Sequence, residues 1–216
     1  MTYSQGEYMS SVRGLTTTSY SILGLLAVQP WSTYELTRQM DRGLGRFWPR
    51  AISKLYEEPK KLAAQGLAVA TPQQVGRRSR TVWSITDEGR RALAEWLHTP
   101  GAGPVLEFEQ LLKLGFAEHG TKDDALATLA AARQWATERN ADNLAAARAY
   151  QAGVGAFQQR LPQNILVGRF LSEHYRMVAE WADWATSVVE GWPDDEPATS
   201  VDPAEVEAVV RKADWV

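Results

Sequence analysis

The chain has 216 residues, no cysteine, 10 prolines, 16 glycines and a formal net charge of −3. That length accommodates one or two domains with a sizeable core. The missing cysteines exclude disulfides, cysteine-ligated zinc and redox thiols, and no run approaches the roughly 20 apolar residues that span a bilayer. The polar opening MTYSQGEYMSSVRG lacks the apolar core of an export signal, so the expected location is cytoplasmic.

The charge is unevenly placed. Residues 15–98 carry 12 Lys+Arg against 7 Asp+Glu, net +5, and residues 99–216 carry 10 against 18, net −8. A basic first half joined to an acidic second half points the first at a polyanion. The second then faces protein or a small ligand.

In chain order, residues 1–14 show no recurring apolar position and read as a tail. Thr17-Thr18-Ser19 offers a cap for a short, strongly apolar helix of Tyr20, Ile22, Leu23, Leu25 and Leu26, which Gln29-Pro30 ends. Ser32-Thr33-Tyr34-Glu35 fits a capping box, in which the serine oxygen takes the amide three residues on and the glutamate reaches back. The helix it opens runs to about Arg42, with Tyr34, Leu36 and Met40 available to pack.

After a turn at Gly43-Leu44-Gly45, Trp48 anchors a third helix with Pro49 at its first position. Ile52, Leu55 and Tyr56 fall on one side of a 3.6-residue period, while Arg50, Ser53 and Lys54 project elsewhere. Such a helix suits the major groove: one face is buried on a scaffold and the other offers donors to phosphates and base edges. Pro59 interrupts it, because a proline inside a helix removes one hydrogen bond and clashes with the carbonyl four back. The expectation is a kink there, or an end near Glu57 and a restart at Pro59, continuing to a left-handed stop at Gly66.

Val69–Val75 and Arg80–Ile85 read as extended segments around Gly76-Arg77-Arg78-Ser79, a hairpin. Its Arg77, Arg78 and Arg80 repel one another unless an anion lies nearby. Thr86 caps a fourth helix running to about His98, with Asp87 and Glu88 in its positive first turn and Leu93, Trp96 and Leu97 as its apolar positions. Three short helices, a basic hairpin and a following helix make a winged helix-turn-helix over residues 15–98.

Here the chain resembles a known family. SYSILGLLAVQPWSTYEL is similar to the opening of PadR-like transcriptional regulators. So are Tyr56 followed six residues later by Leu62 and ten later by Gly66-Leu67, and the WSITDEGRRAL run after the wing. The departure is Pro59, where the family pattern usually has an apolar helix former. The resemblance implies a DNA-binding homodimer, usually a repressor, completed by a helical C-terminal region. The expected DNA contacts are Thr33, Arg50, Ser53, Lys54, Tyr56, Lys60, Lys61, Arg77, Arg78 and Arg80.

Thr99–Pro104, TPGAGP, reads as a linker, residues 99–104. Beyond it, residues 105–190 read as almost wholly helical. One helix takes in Leu106, Phe108, Leu111, Leu112 and Leu114 to Phe116. A second starts at Thr121 and runs toward Arg160 with a stripe of Tyr150, Val154, Phe157 and Leu161, though Gly153 and Gly155 offer to interrupt it. A third, from Gln163 to Glu190, carries Val167, Leu171, Val178, Trp181, Ala185 and Val188 on one face. Two long helices joined by a short turn make an antiparallel hairpin that cannot cover its own apolar surface, so a partner copy is expected. In residues 191–216, WPDDEPATS is a polar linker and Asp202-Pro203-Ala204-Glu205 starts a last short helix to about Ala213.

The fold class is thus mainly α with a small β-hairpin wing: a winged helix-turn-helix domain followed by an antiparallel helical dimerisation region. No catalytic or metal-binding constellation accompanies it. His98, His119 and His174 are far apart, and no Gly-rich segment completes a dinucleotide loop. An enzyme is therefore not expected, nor a cofactor, a metal or a membrane partner. The expected function is a sequence-specific transcriptional regulator, a ligand-released homodimeric repressor on an inverted-repeat operator. The alternative is a winged-helix protein-interaction module without DNA binding. Trp96, Trp181 and Trp184 are candidates for holding a small aromatic or lipophilic effector, and packing alone explains the same three residues.

Overall fold

The computed structural model describes residues 14–49, 56–75, 78–194 and 201–215, with the side chains of Val75 and Arg78 outside that description. The chain divides into two compact units between Pro104 and Val105. Among the described residues, no helix is long and apolar enough to cross a membrane.

The first unit is built on α1 (Thr17–Val28). Ile22, Leu23 and Leu26 are at most 1% exposed; a helix apolar nearly all round belongs at the centre of a core. Its cap is Thr16, one residue before the expected cluster: Ser19 N donates to Thr16 Oγ1, and Thr16 N donates to Ser19 Oγ. Next comes a two-residue strand, β1 (Trp31–Ser32). The expected capping box then opens α2 (Thr33–Arg42), with Glu35 N donating to Ser32 Oγ and Ser32 N to Glu35 Oε2. Leu36 and Met40 are fully buried. Tyr34 does not pack: it lies some 200° around the helix from Leu36, is 67% exposed, and has the Arg38 guanidinium over its ring.

The helix expected from Trp48 to Glu57 lies largely outside the described residues. The next α-helix is α3 (Glu58–Ala64), with Pro59 in its first turn. Of the two expectations for Pro59, the restart holds, because a first-turn proline has no intrahelical N–H bond to lose. Gly66 closes α3 at φ +73°, with Gly66 N on Ala63 O and Leu67 N on Leu62 O. That pair of bonds is a Schellman stop, which glycine adopts without a Cβ clash.

The hairpin consists of β2 (Ala68–Val75) and β3 (Arg78–Ile85), paired antiparallel from Ala68↔Ile85 to Val75↔Arg78. Arg78, expected in the turn, begins the second strand. β1 joins the other edge of β3 through Trp31↔Trp83 and Ser32↔Val82, giving the order β1-β3-β2. This third strand had no readable signal, since two residues are too short to show a period.

α4 (Asp87–Leu97) starts at Thr86, whose Oγ1 accepts from Gly89 N and donates to the Gly66 carbonyl. Thr86 N also donates to Leu67 O. A Cβ placed on Gly89 would lie 2.1 Å from Leu67 O and 2.8 Å from Ile85 Cγ1. The inward face of α4 is Gly89 and Ala92, while Leu97, expected to pack, is 68% exposed.

In the second unit, α5 (Glu109–Leu114) is six residues long, so the helix expected to begin at Leu106 starts later; Val105 and Leu106 precede it, exposed. A 3-10 turn at Ala117–His119 separates it from α6 (Lys122–Gln151), capped by a Thr121/Asp124 box. α6 does not continue to Arg160. Gly153, at φ +72°, donates to Tyr150 O and Val154 N donates to Ala149 O, the same stop as at Gly66. The expected stripe therefore breaks after Tyr150, and Val154 is 77% exposed.

Pro162 then sits in the first turn of α7 (Leu161–Glu190) and opens the helix. α6 buries Ala125, Leu129, Ala132, Ala136 and Asn143, and α7 buries Leu171, Tyr175, Val178, Ala182, Ala185 and Val189. The α7 seam is thus shifted from the expected one: Val189 replaces Val188, and Val167 is 41% exposed. Arg133–Asp183 and the Asn143 amide on Ser172 Oγ and Gly168 O make the pair antiparallel. α8 (Pro203–Ala213) comes last, capped by Asp202 as expected.

Two glycine substitutions check the packing of the first unit. Gly89→Ala forces the α4 start off the Leu67 carbonyl and is expected to destabilise the unit by about 1–3 kcal/mol. Gly24→Ala, inside α1 with nothing within 4 Å of the added methyl, is expected to be stabilising by about 0.5–1 kcal/mol. Urea titrations of both variants, read by circular dichroism, separate the two signs.

Candidate nucleic-acid interface

Of the ten residues expected to face DNA, Thr33, Tyr56, Lys60, Lys61 and Arg80 have described side chains. Arg50, Ser53, Lys54 and Arg77 lie outside the described residues. Arg78 is described through its backbone, opposite Val75.

The three described cations of this set are all paired with carboxylates. Lys60 Nζ lies 3.1 Å from Glu57 Oε1, both exposed. Lys61 Nζ lies 3.6 Å from Glu58 Oε2. Glu58 is itself buried, and its other oxygen accepts from the Ser19 hydroxyl, which ties the start of α3 to α1.

Arg80 is held more fully. Gln73, its cross-strand partner, offers one amide oxygen to both Nε at 2.9 Å and Nη2 at 2.7 Å. Nη1 reaches Glu35 Oε1 at 3.4 Å. Bonds from the Ser32 hydroxyl and amide to Glu35 Oε2, at 2.7 and 2.8 Å, hold the Glu35 carboxyl below the usual carboxylate range, and the Arg80 charge adds to them. One carboxylate therefore caps α2 with one oxygen and meets Arg80 of the wing with the other.

Thr33 is half-buried and its Oγ1 accepts from the Trp83 indole at 3.0 Å. Its own proton remains available to a phosphate. Tyr56, 61% exposed, projects beside the start of α3. Sequence reasoning did not single out Arg38 and assigned Tyr34 to packing, and both are exposed on α2. It also treated Glu35 only as a cap, because the residue that pairs with it is 45 positions away.

Each of the three tryptophans has a partner within its own unit. Trp96 stacks on Tyr20 with centroids 4.9 Å apart and planes 6° from parallel. Trp181 meets the edge of Phe108 and packs against the cluster of Ala125, Leu129, Ala185 and Val189. Trp184 is 42% exposed and donates its indole N–H to Glu205.

A family profile described as the transcriptional regulator PadR-like family matches residues 22–95, from within α1 to the last turn of α4. Residues 22–95 therefore carry a PadR-like domain. Among curated relatives, the negative transcriptional regulator PadR of Bacillus subtilis is 36% identical over 109 residues, 49% of this chain and 59% of that protein. A probable transcriptional regulator of Mycobacterium tuberculosis is 35% identical over 82 residues, 38% of this chain and 43% of its own length. The matches thus span about half the length of these relatives.

Solved structures extend the likeness to the helical half. B. subtilis PadR in complex with operator DNA superposes with a TM-score of 0.66 at 23% identity, covering 81% of this chain and 99% of that one. The same protein with p-coumaric acid gives 0.62 at 21% identity, covering 82% and 99%. The Vibrio cholerae virulence activator AphA gives 0.60 at 27%, covering 81% and 98%. The overall architecture, a winged helix followed by long paired helices, is that of the PadR-like fold.

The Ser32–Glu35 box of this PadR-like domain makes a pH-dependent contribution. Folding lowers the Glu35 carboxyl's pKa, so the stabilisation is complete above the ordinary carboxylate range and is lost as pH falls through the lowered value. Ser32→Ala is expected to cost about 1 kcal/mol near neutrality, and less at about pH 3, below the ordinary range. Paired urea titrations at neutral and acid pH measure the difference.

Proposed function

We propose that the chain is a DNA-binding transcriptional regulator and not an enzyme: a cytoplasmic homodimeric repressor that a ligand releases from an inverted-repeat operator. The observation that carries this reading is a PadR-like domain whose hairpin and α3 present Arg80, Lys60 and Lys61 on exposed positions, in the fold in which B. subtilis PadR is seen on operator DNA. Arg50, Ser53, Lys54, Arg77 and Arg78 complete the proposed contact set by sequence. Lysines and arginines supply the salt-dependent phosphate contacts, while Ser53 and Lys54 read base edges.

Dimerisation is supported by α7. Besides its buried seam, the helix carries Val167, Phe170, Met177 and Trp184, all exposed, at spacings of three and seven. Phe170 is 61%, Met177 53% and Trp184 42% exposed. An apolar a/d repeat left open on a paired helix is the seam that a second copy covers. The boundaries proposed are 1–14 for an N-terminal tail, 15–98 for DNA binding, 99–104 for the linker, 105–190 for dimerisation and 191–216 for a C-terminal linker and short helix.

For release, the ligand class is a flat aromatic acid or a lipophilic aromatic, by analogy with the p-coumaric acid bound to B. subtilis PadR. Trp96, Trp181 and Trp184 report such binding through their fluorescence. A ligand shifts the protein off DNA only by its differential affinity for the two states.

Fluorescence anisotropy on a duplex from upstream of the protein's own gene, against a random duplex of equal length, tests the reading. Specific binding at physiological salt is expected, and alanine at both Lys60 and Lys61 should flatten the salt slope by about 0.9 for each lysine that meets a phosphate. Equal affinity for both duplexes, or no binding, contradicts it. Light scattering tests the dimer: the full chain is expected at twice its 24.0 kDa mass, and a chain ending at His98 at its monomer mass. The two recognition elements then sit about 34 Å apart, one DNA turn.

A further inference from the structure

On the proposed DNA face, Arg80 is committed to its own protein. Three of its N–H groups are used, two on the Gln73 amide oxygen and one toward Glu35. Both members of the ion pair remain accessible, with side chains 42% and 40% exposed. A phosphate approaching the wing therefore meets a cation already facing a carboxylate, with that negative charge beside it. An exposed pair of this kind is weak in water, so a DNA that supplies enough other contacts displaces it, and one that supplies few does not.

We propose that Glu35 is a specificity-determining residue that suppresses non-specific DNA binding by holding the Arg80 guanidinium. This rests on the DNA-binding reading above. The logic is that phosphate contacts give affinity without sequence information. Weakening one of them by a fixed competitor lowers binding to all DNA and leaves base contacts to decide where the protein stays. The carboxylate suits the task because Ser32 pins its other oxygen through two hydrogen bonds. It therefore keeps its charge and its place while Arg80 comes and goes.

Glu35→Gln isolates the charge, since glutamine reaches back to the Ser32 amide as well as glutamate does and keeps the capping box. On a random duplex of about 30 bp at low salt the variant is expected to bind about five-fold tighter, and its salt slope should be steeper by up to about 0.9 per released arginine. On the duplex from upstream of the gene the gain should be smaller, so the ratio of specific to random affinity falls. A cooperative thermal melt, somewhat below that of the unmodified protein, accompanies these changes, because glutamine keeps the acceptor of the cap and loses its charge.

The same substitution is then made on an Arg80→Ala background, closing a double-mutant cycle. There the gain should disappear. A gain of equal size without Arg80 shows general charge repulsion and overturns the proposal, as does unchanged or weaker binding of Glu35→Gln to random DNA. Failure of the unmodified protein to bind any duplex removes the regulator reading and this inference with it. Normal binding with a silent Glu35→Gln removes this inference alone.

Discussion

The first unit depends on the close approach of the α4 start to the Leu67 carbonyl. That oxygen already accepts from Thr86 N, and Gly89 leaves no atom where a Cβ would lie 2.1 Å away. Thr86 bridges the same junction, accepting from Gly89 N and donating to the Gly66 carbonyl. Four residues thus join the end of α3, both strands of the hairpin and the start of α4. The wing has a fixed origin relative to α3 because these bonds form at the ends of four elements, where backbone groups otherwise lack partners.

The electrostatics follow from that frame. A fixed hairpin places Arg80 opposite Gln73 and within reach of the α2 first turn. Each described cation of the proposed interface then has an acidic neighbour: Lys60 has Glu57, Lys61 has Glu58 and Arg80 has Glu35. At these three described cations the charge is locally neutral at contact distance, while residues 15–98 as a whole stay positive, at +5. On the proposed reading, long-range attraction and short-range selectivity are carried by different charges. The first follows the summed field, and the second follows which pair a ligand can displace.

The helical half is held together differently. α6 and α7 meet through small residues, Ala125, Ala132 and Ala136 against Ala182 and Ala185, with larger side chains between them. Asn143 is the polar exception, and its amide is satisfied by Ser172 and the Gly168 carbonyl. A buried amide with fixed partners sets the register of two helices that alanines alone would let slide. With the register set, the second apolar repeat of α7 has one consistent outward face.

Local chemistry was legible wherever a few adjacent residues decide the outcome. The Ser32–Glu35 and Thr121–Asp124 caps, the stop at Gly66, the hairpin between two extended runs and the Asp202-Pro203 helix start each depend on neighbours in the chain, so the sequence alone determined them. It also determined the PadR-like domain, through apolar spacing and the runs on either side of the wing. Tertiary structure decided the rest, because the deciding atoms come from distant positions. β1 exists only because Trp31 lies against Trp83, and Tyr34 turns outward because Leu36 and Met40 take the core. Val189 lies inside and Val167 outside because α6 selects one of two nearly equal apolar faces of α7. Glu35, a cap by its sequence, became part of the proposed interface when folding brought Arg80 to its second oxygen.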